Sequence, residues 1–174
     1  MLALLQTLLD IIRLRKGPDA IPHSTVLLAI VVAFWLFVEI LGGLIVPRFG
    51  GLSASGLAIT LLGLVIFALL ATLDGRNARM LQMLTAMIGC GAIFAFVLTL
   101  VLAVALRLQQ FALVPLLALL SVWSVTLFSV IVEGHILSRT LERPRPVGVI
   151  AAFLVFALQF YLSATFNPSS AAAA

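Results

Sequence analysis

The chain has 174 residues, of which 64% are hydrophobic and only 9% are charged, and its formal net charge is +4. A soluble domain carries about 25% charged residues, so this composition excludes a water-soluble globular protein. Nucleic-acid binding would need a basic patch on a water-facing domain, and the sequence has no segment long enough to form one. The expected environment is therefore a membrane, with no nucleic-acid partner.

Residues 1–16 are predicted to form an amphipathic helix in the membrane interface. Gln6, Asp10 and Arg13 recur at i, i+4 and i+7 and make one polar stripe, opposite a face of leucine and isoleucine. The basic residues of this segment follow its apolar run, whereas a signal peptide carries them before it. We therefore expect the helix to be retained, and docking of a partner protein is its alternative use.

Residues 17–24 are predicted to form a hinge that turns the chain into the membrane. Gly17 and Pro18 end the preceding helix, because proline disfavours helical geometry in the residue before it. Ser24 or Thr25 is expected to cap the next helix.

Five apolar stretches follow, and a helix of about 20 such residues crosses a hydrocarbon core of about 30 Å. They lie near residues 25–46, 52–73, 82–106, 112–134 and 147–166. The predicted fold is an all-α polytopic membrane bundle forming one domain over residues 25–166, with a low-complexity tail at 167–174. The fourth span is predicted to continue as a helix to about Leu141.

The basic residues are distributed unequally between the two sides of the predicted bundle. Positive residues stay cytoplasmic, so we expect the N-terminus inside and the C-terminus outside. The residues on the predicted cytoplasmic side are also expected to contact anionic phospholipid headgroups. They are Arg13, Arg15, Lys16, Arg76, Arg79, Arg139, Arg143 and Arg145.

Glu39 lies about 13 residues into the first span, where a carboxylate is costly unless it is neutralised, paired or hydrated. Gly42 and Gly43 follow on the same helical face and would let another helix approach. Glu39 is therefore a candidate proton relay or partner contact. The alternative is a protonated glutamate that is hydrogen-bonded across a helix interface.

Thr126, Ser129 and Glu133 share one face of the fourth span, near its predicted cytoplasmic end. The stripe predicts either the mouth of a proton path or hydrogen bonding between helices. Close packing between helices is predicted at three further glycines, namely Gly56, Gly89 and Gly91.

The sequence contains no nucleophile–base pair, phosphate-binding loop or zinc-protease motif. Cys90 is the only cysteine, and the histidines and glutamates lack the spacing of a metal site. No cofactor or metal is predicted, and enzymatic activity is not expected, with a lipid-active enzyme the least favoured alternative.

The hinge residues Gly17, Pro18, Asp19, Pro22 and Ser24, followed by five closely linked spans, resemble the Yip-domain family. In eukaryotes this family has five spans and a cytosolic N-terminus, with roles in membrane trafficking and in binding prenylated small GTPases. The chain is more similar to small bacterial five-span proteins that look like relatives of this family, so the resemblance implies a bacterial inner-membrane protein. For such a relative it implies a non-enzymatic membrane organiser or accessory subunit.

The sequence thus predicts an accessory, scaffold or assembly subunit of a larger membrane complex. It would act through the interfacial helix and the glycine-bearing face of the first span, packing on another membrane protein or a second copy. The alternative is a small oligomeric transporter or channel, with a proton-coupled path through Glu39 and the Thr126, Ser129 and Glu133 stripe.

Overall fold

The computed structural model describes residues 2–46 and 53–166, and every regular element in these ranges is helical. The helices are α1 (Leu2–Ile12), α2 (Thr25–Ile45), α3 (Ala54–Leu73), α4 (Asn77–Arg107), α5 (Val114–Thr140) and α6 (Arg145–Phe166), with a 3-10 turn at Pro18–Ala20. Helices α2 to α6 are long and apolar enough to cross a membrane. The predicted all-α polytopic bundle with a short N-terminal helix is therefore confirmed.

Two spans are longer than their apolar cores. Helix α4 begins at Asn77 rather than near residue 82, and its 31 residues measure about 46 Å. Helix α5 runs to Thr140, close to the limit predicted for it. The predicted tail at residues 167–174 lies outside the described residues.

Three connections meet at one end of the bundle, which we call the basic end. They are the hinge before α2, the α3–α4 turn and the α5–α6 turn, and hydrogen bonds join them to one another or to the adjoining helices. Within the bundle, α4 packs extensively on α2 and α5, and α5 packs on α6. Helix α3 closes the arrangement against α4 and α6.

The closest approach of two spans is at the α5–α6 crossing. A Cβ on Gly134 would lie 2.5 Å from the Cα of Val149, and a Cβ on Gly148 would collide with the carbonyl oxygen of Gly134. Both obstacles are backbone atoms, which cannot rotate away. These glycines were not singled out from the sequence, although they are the ones that set the spacing of α5 and α6.

Helix α1 packs against the spans instead of lying free beside them. Ile11 is 0% exposed and Leu8 is 6% exposed, and both belong to the main apolar cluster with residues of α4 and α5. A Cβ on Gly89 would lie 2.9 Å from Cδ2 of Leu8, so Gly89 lets α1 approach α4 closely. Placement of α1 in the membrane interface remains a prediction.

The hinge is held by contacts to helices far along the chain. The amide Nε2 of Gln82 donates to the carbonyl oxygen of Ile21 at 2.6 Å. The ring Nε2 of His135 lies 3.0 Å from the carbonyl oxygen of Lys16. Ser24 begins α2 as its cap, since its hydroxyl accepts from the Leu27 amide at 3.3 Å.

We expect Gln82→Leu to lower the free energy of unfolding by about 1 to 2 kcal/mol, because it leaves the Ile21 carbonyl without its donor. The hinge should also open locally, which limited trypsin cleavage after Lys16 would report as a faster rate. Gln109→Leu is the matched control, since Gln109 is exposed beyond the end of α4. Equal cleavage rates for the two variants would show that Gln82 does not fix the hinge.

Candidate functional site

Glu133 lines a pocket of about 100 Å³ at which all five spans meet, and we call it the inner pocket. Each span contributes a lining residue: Trp35 from α2, Thr60 from α3, Gly91 from α4, Glu133 from α5 and Gln159 from α6. The sequence predicted for Glu133 either the mouth of a proton path or hydrogen bonding between helices. Glu133 lies seven residues or about 10 Å before the end of α5, and its position relative to the membrane surface stays a prediction.

Two glycines shape the inner pocket. A Cβ on Gly91 would meet no atom within 4 Å, so Gly91 faces open space and the prediction of close packing there was wrong. A Cβ on Gly63 would collide with the Gln159 amide, so Gly63 lets this side chain cross to α3. There, Nε2 of Gln159 donates to the carbonyl oxygen of Ile59 at 3.1 Å.

Glu39 lines a second pocket of about 310 Å³, the outer pocket, between α2, α4 and α5. Thr99 is its other polar residue, and a Cβ on Gly42 would lie 3.1 Å from the Thr99 hydroxyl oxygen. Gly42 on α2 therefore packs on α4 of the same chain, and use of this helix face as a partner surface stays a prediction. Gly43 is half-buried, and a Cβ on Gly56 would meet Oγ of Ser53, its own helix cap, and not a neighbouring span.

The two pockets follow one another along the seam between α2 and α4. Gly91 lines the inner pocket and Ala95, one turn further on, lines the outer one. On α2, Trp35 lines the inner pocket and its indole interacts with the Glu39 carboxyl group one turn later. One helical turn, about 5.4 Å, thus separates the linings of the two pockets on both helices.

The polar stripe of α5 lies between the levels of the two pockets. Val122 lines the outer pocket and Glu133 lines the inner one, while Thr126 and Ser129 lie between them on one helical face. The Ser129 hydroxyl donates to the carbonyl oxygen of Thr126 at 2.8 Å. The predicted stripe therefore lies along α5 between its two pocket-lining residues, Val122 and Glu133.

Threonine hydroxyls in the pockets differ from those elsewhere in the spans. Thr85 and Thr140 donate to the carbonyl four residues earlier, at 2.7 and 2.9 Å. Thr60 and Thr99 make no hydrogen bond within the described residues, so their hydroxyls are available to a molecule in the pocket. Because water occupies about 30 Å³ in the liquid, the inner pocket holds roughly three water molecules.

Among the described residues, neither pocket is lined by lysine, arginine or histidine. Glu39 and Glu133 also form no salt bridge to any residue that the structure describes. Neither carboxyl group therefore has a cationic partner among the described residues, so a proton or another molecule is a candidate to neutralise each of them.

At the basic end, an ion-pair network links the α3–α4 and α5–α6 turns. Glu142 accepts from Arg76 at 2.6 Å and from Arg79 at 2.8 Å, and Arg143 donates to Asp74 at 2.8 Å. The Asp74 carboxylate raises the pKa of the Arg143 guanidinium. Three of the arginines predicted to contact lipid headgroups are thus already paired with carboxylates.

Lys16 is paired too, with Asp10 at 2.8 Å, and its hydrogen bond lowers the pKa of the Asp10 carboxyl. The other four basic residues of the predicted headgroup set are exposed and pair with no carboxylate within the described residues. They are Arg13, Arg15, Arg139 and Arg145. Lipid contact remains a prediction for the whole set.

Cys90 is a buried free thiol that lies 3.9 Å from the carbonyl oxygen of Leu8. In the described part of the chain, no three histidine, cysteine, aspartate or glutamate residues group in a way that would hold a metal ion.

These spans and internal pockets define a multi-pass α-helical membrane protein. In comparisons with known proteins, the chain matches no family model, no curated protein and no solved structure. The Yip-domain resemblance therefore remains a prediction that rests on the hinge residues and the five spans.

Proposed function

We propose that this protein is a small proton-coupled transport module, in which Glu133 and Glu39 are the proton-binding groups. The observation that carries the proposal is the alignment of two carboxyl groups in two pockets along one seam, neither with a cationic partner in the described ranges 2–46 and 53–166. Ionisable groups at this depth in a membrane protein mark proton or substrate pathways by default.

The path runs from the inner pocket to the outer one. Glu133 exchanges a proton with water in the inner pocket, where Thr60 and Gln159 supply hydrogen-bonding groups. Thr126 and Ser129 lie along the interval to the outer pocket, and Glu39 receives the proton there. Each transfer leaves Glu133 as a carboxylate, which takes up the next proton from the inner pocket, so one negative charge alternates between the two carboxyl groups.

The proposal includes an orientation. By the positive-inside rule the basic end is cytoplasmic, which puts the N-terminus inside and the C-terminus outside a bacterial inner membrane. Glu133 then serves the cytoplasmic half of the path and Glu39 the outer half. No cofactor, metal or enzymatic step is required.

Proton flux into liposomes tests the proposal. The purified protein is reconstituted with pyranine trapped inside, and a potassium diffusion potential set with valinomycin drives protons inward. We expect wild-type flux above that of empty vesicles, and flux lower by about tenfold or more in Glu133→Gln and Glu39→Gln. Each change keeps the side-chain shape and removes the titrating group.

Asp19→Asn is the matched control, since Asp19 is exposed in the hinge and lines neither pocket. It should conduct as wild type does. Flux in both glutamine variants equal to that of Asp19→Asn would refute the proposal.

A second candidate function, the accessory or scaffold subunit, is favoured by the geometry of the hinge. Gly17 and Pro18 are buried against the spans, while Asp19, Pro22 and His23 are exposed at the basic end. A rigid exposed segment fits docking by another membrane protein or by a second copy. This candidate function is tested by cross-linking from position 23 in native membranes. A cross-link to one defined partner that disappears in Pro22→Ala would support docking. A monomer without cross-linked products would count against docking.

A further inference from the structure

We infer that the outer pocket binds a lipophilic organic cation, an ammonium group carried on an apolar body, which is exchanged for a proton at Glu39. The inference rests on the proposed function and names the substrate class of the same path.

The size and lining of the outer pocket fit a small amphiphilic molecule. Its volume of about 310 Å³ lies at the lower end of the range for small-molecule sites, about 300 to 1,000 Å³. Apart from Glu39, Thr99 and Gly42, the lining is aliphatic, with Val38, Leu98 and others. A hydrocarbon body therefore finds apolar contacts there.

The polar groups select a cation with N–H donors. Glu39 is the one ionisable residue among those that line the pocket, and the described residues supply no cation to pair with it. Thr99 adds a hydroxyl oxygen that accepts no hydrogen bond within the described residues. An ammonium group donates to both oxygens and supplies the missing positive charge.

Other ligand classes fit less well. An anion would be repelled by Glu39, and a sugar would leave most of its hydroxyls unpaired against aliphatic side chains. Calcium needs six to eight oxygen ligands, whereas two polar side chains line this pocket. The inner pocket, at about 100 Å³, is too small for the same amphiphile and admits only protons and water.

Binding and protonation compete for one carboxyl group. The protonated Glu39 carboxyl releases its proton, and the carboxylate that remains pairs with the incoming ammonium, so one proton leaves for each amine that binds. This exchange couples amine movement to proton movement without any covalent step.

The test uses n-octylammonium and the purified full-length protein in detergent, with Trp123→Phe so that Trp35 is the sole tryptophan. Trp35 fluorescence reports binding, because its indole interacts with Glu39. Calorimetry in two buffers of different ionisation enthalpy counts the protons released. We expect saturable binding with one proton released, and in Glu39→Gln an affinity lower by about tenfold or more and no proton release.

Asp19→Asn should bind as the parent does. Thr99→Val keeps the shape of the pocket and removes one hydrogen-bond acceptor, so this variant should bind n-octylammonium several-fold more weakly. It serves as the test variant if Glu39→Gln does not fold. If n-octanol binds as tightly as n-octylammonium, and Glu39→Gln does not change that affinity, the inference is wrong and the outer pocket is a site for lipid chains. Glutamate-dependent proton flux without amine binding would refute only the substrate class, whereas amine binding without proton flux would refute the proposed transport.

Discussion

Gly134→Val is expected to lower the free energy of unfolding by about 2 to 3 kcal/mol. The first added carbon would already lie 2.5 Å from the Cα of Val149. Because that obstacle is backbone, α5 and α6 must separate over their whole crossing. Unfolding in detergent with increasing dodecyl sulfate, followed by far-ultraviolet circular dichroism, measures the effect.

Gly91→Val is the control for this experiment, since it makes the same substitution in another span at a similar depth. If Gly134→Val unfolds at the same denaturant concentration as Gly91→Val, the α5–α6 crossing does not have the spacing described here.

The second large effect is expected for Gly91→Val, and it is a loss of proton flux. The new side chain meets no atom at its Cβ and projects into the inner pocket, so stability should stay within about 1 kcal/mol of wild type. It also fills part of the space beside Glu133, through which the proposed path runs. We therefore expect proton flux in the liposome assay to fall by about tenfold or more.

A control for the flux measurement should not change helix packing, which excludes substitutions at the α5–α6 crossing such as Gly134→Ser. Gly43→Val is the appropriate functional control, since Gly43 lies on α2 and lines neither pocket. Normal flux through a stably folded Gly91→Val protein would show that protons do not pass through the inner pocket.

The spans could be predicted from the sequence because hydropathy is a local property. Each stretch of about 20 apolar residues has one favourable arrangement in a bilayer, a helix that satisfies its own backbone. Ser24 could be assigned as a cap for the same reason, since its partner Leu27 is three residues away.

The pockets could not be predicted, because they depend on residues that are distant in the chain. Gly91 and Gly134 look alike in sequence, yet one faces open space and the other faces the backbone of α6. Gln159 crosses to Ile59, 100 residues earlier, and only the structure shows that Gly63 admits it.

The two glutamates were identified from the sequence, but their surroundings were not. Glu39 was paired with Gly42 as a partner-facing surface, and the structure turns that face onto Thr99 of the same chain. Gly42 therefore contributes to packing within the bundle, and lateral assembly through α2 stays a prediction.

The buried position of α1 has a consequence for how the molecule is assembled. Leu8 and Ile11 are covered by α4 and α5, which are synthesised roughly 70 or more residues later. Helix α1 therefore has no docking surface until most of the bundle has been inserted. Its closure onto that surface is a late event in biogenesis, and a nascent chain truncated before α4 would display this apolar helix to chaperones and proteases.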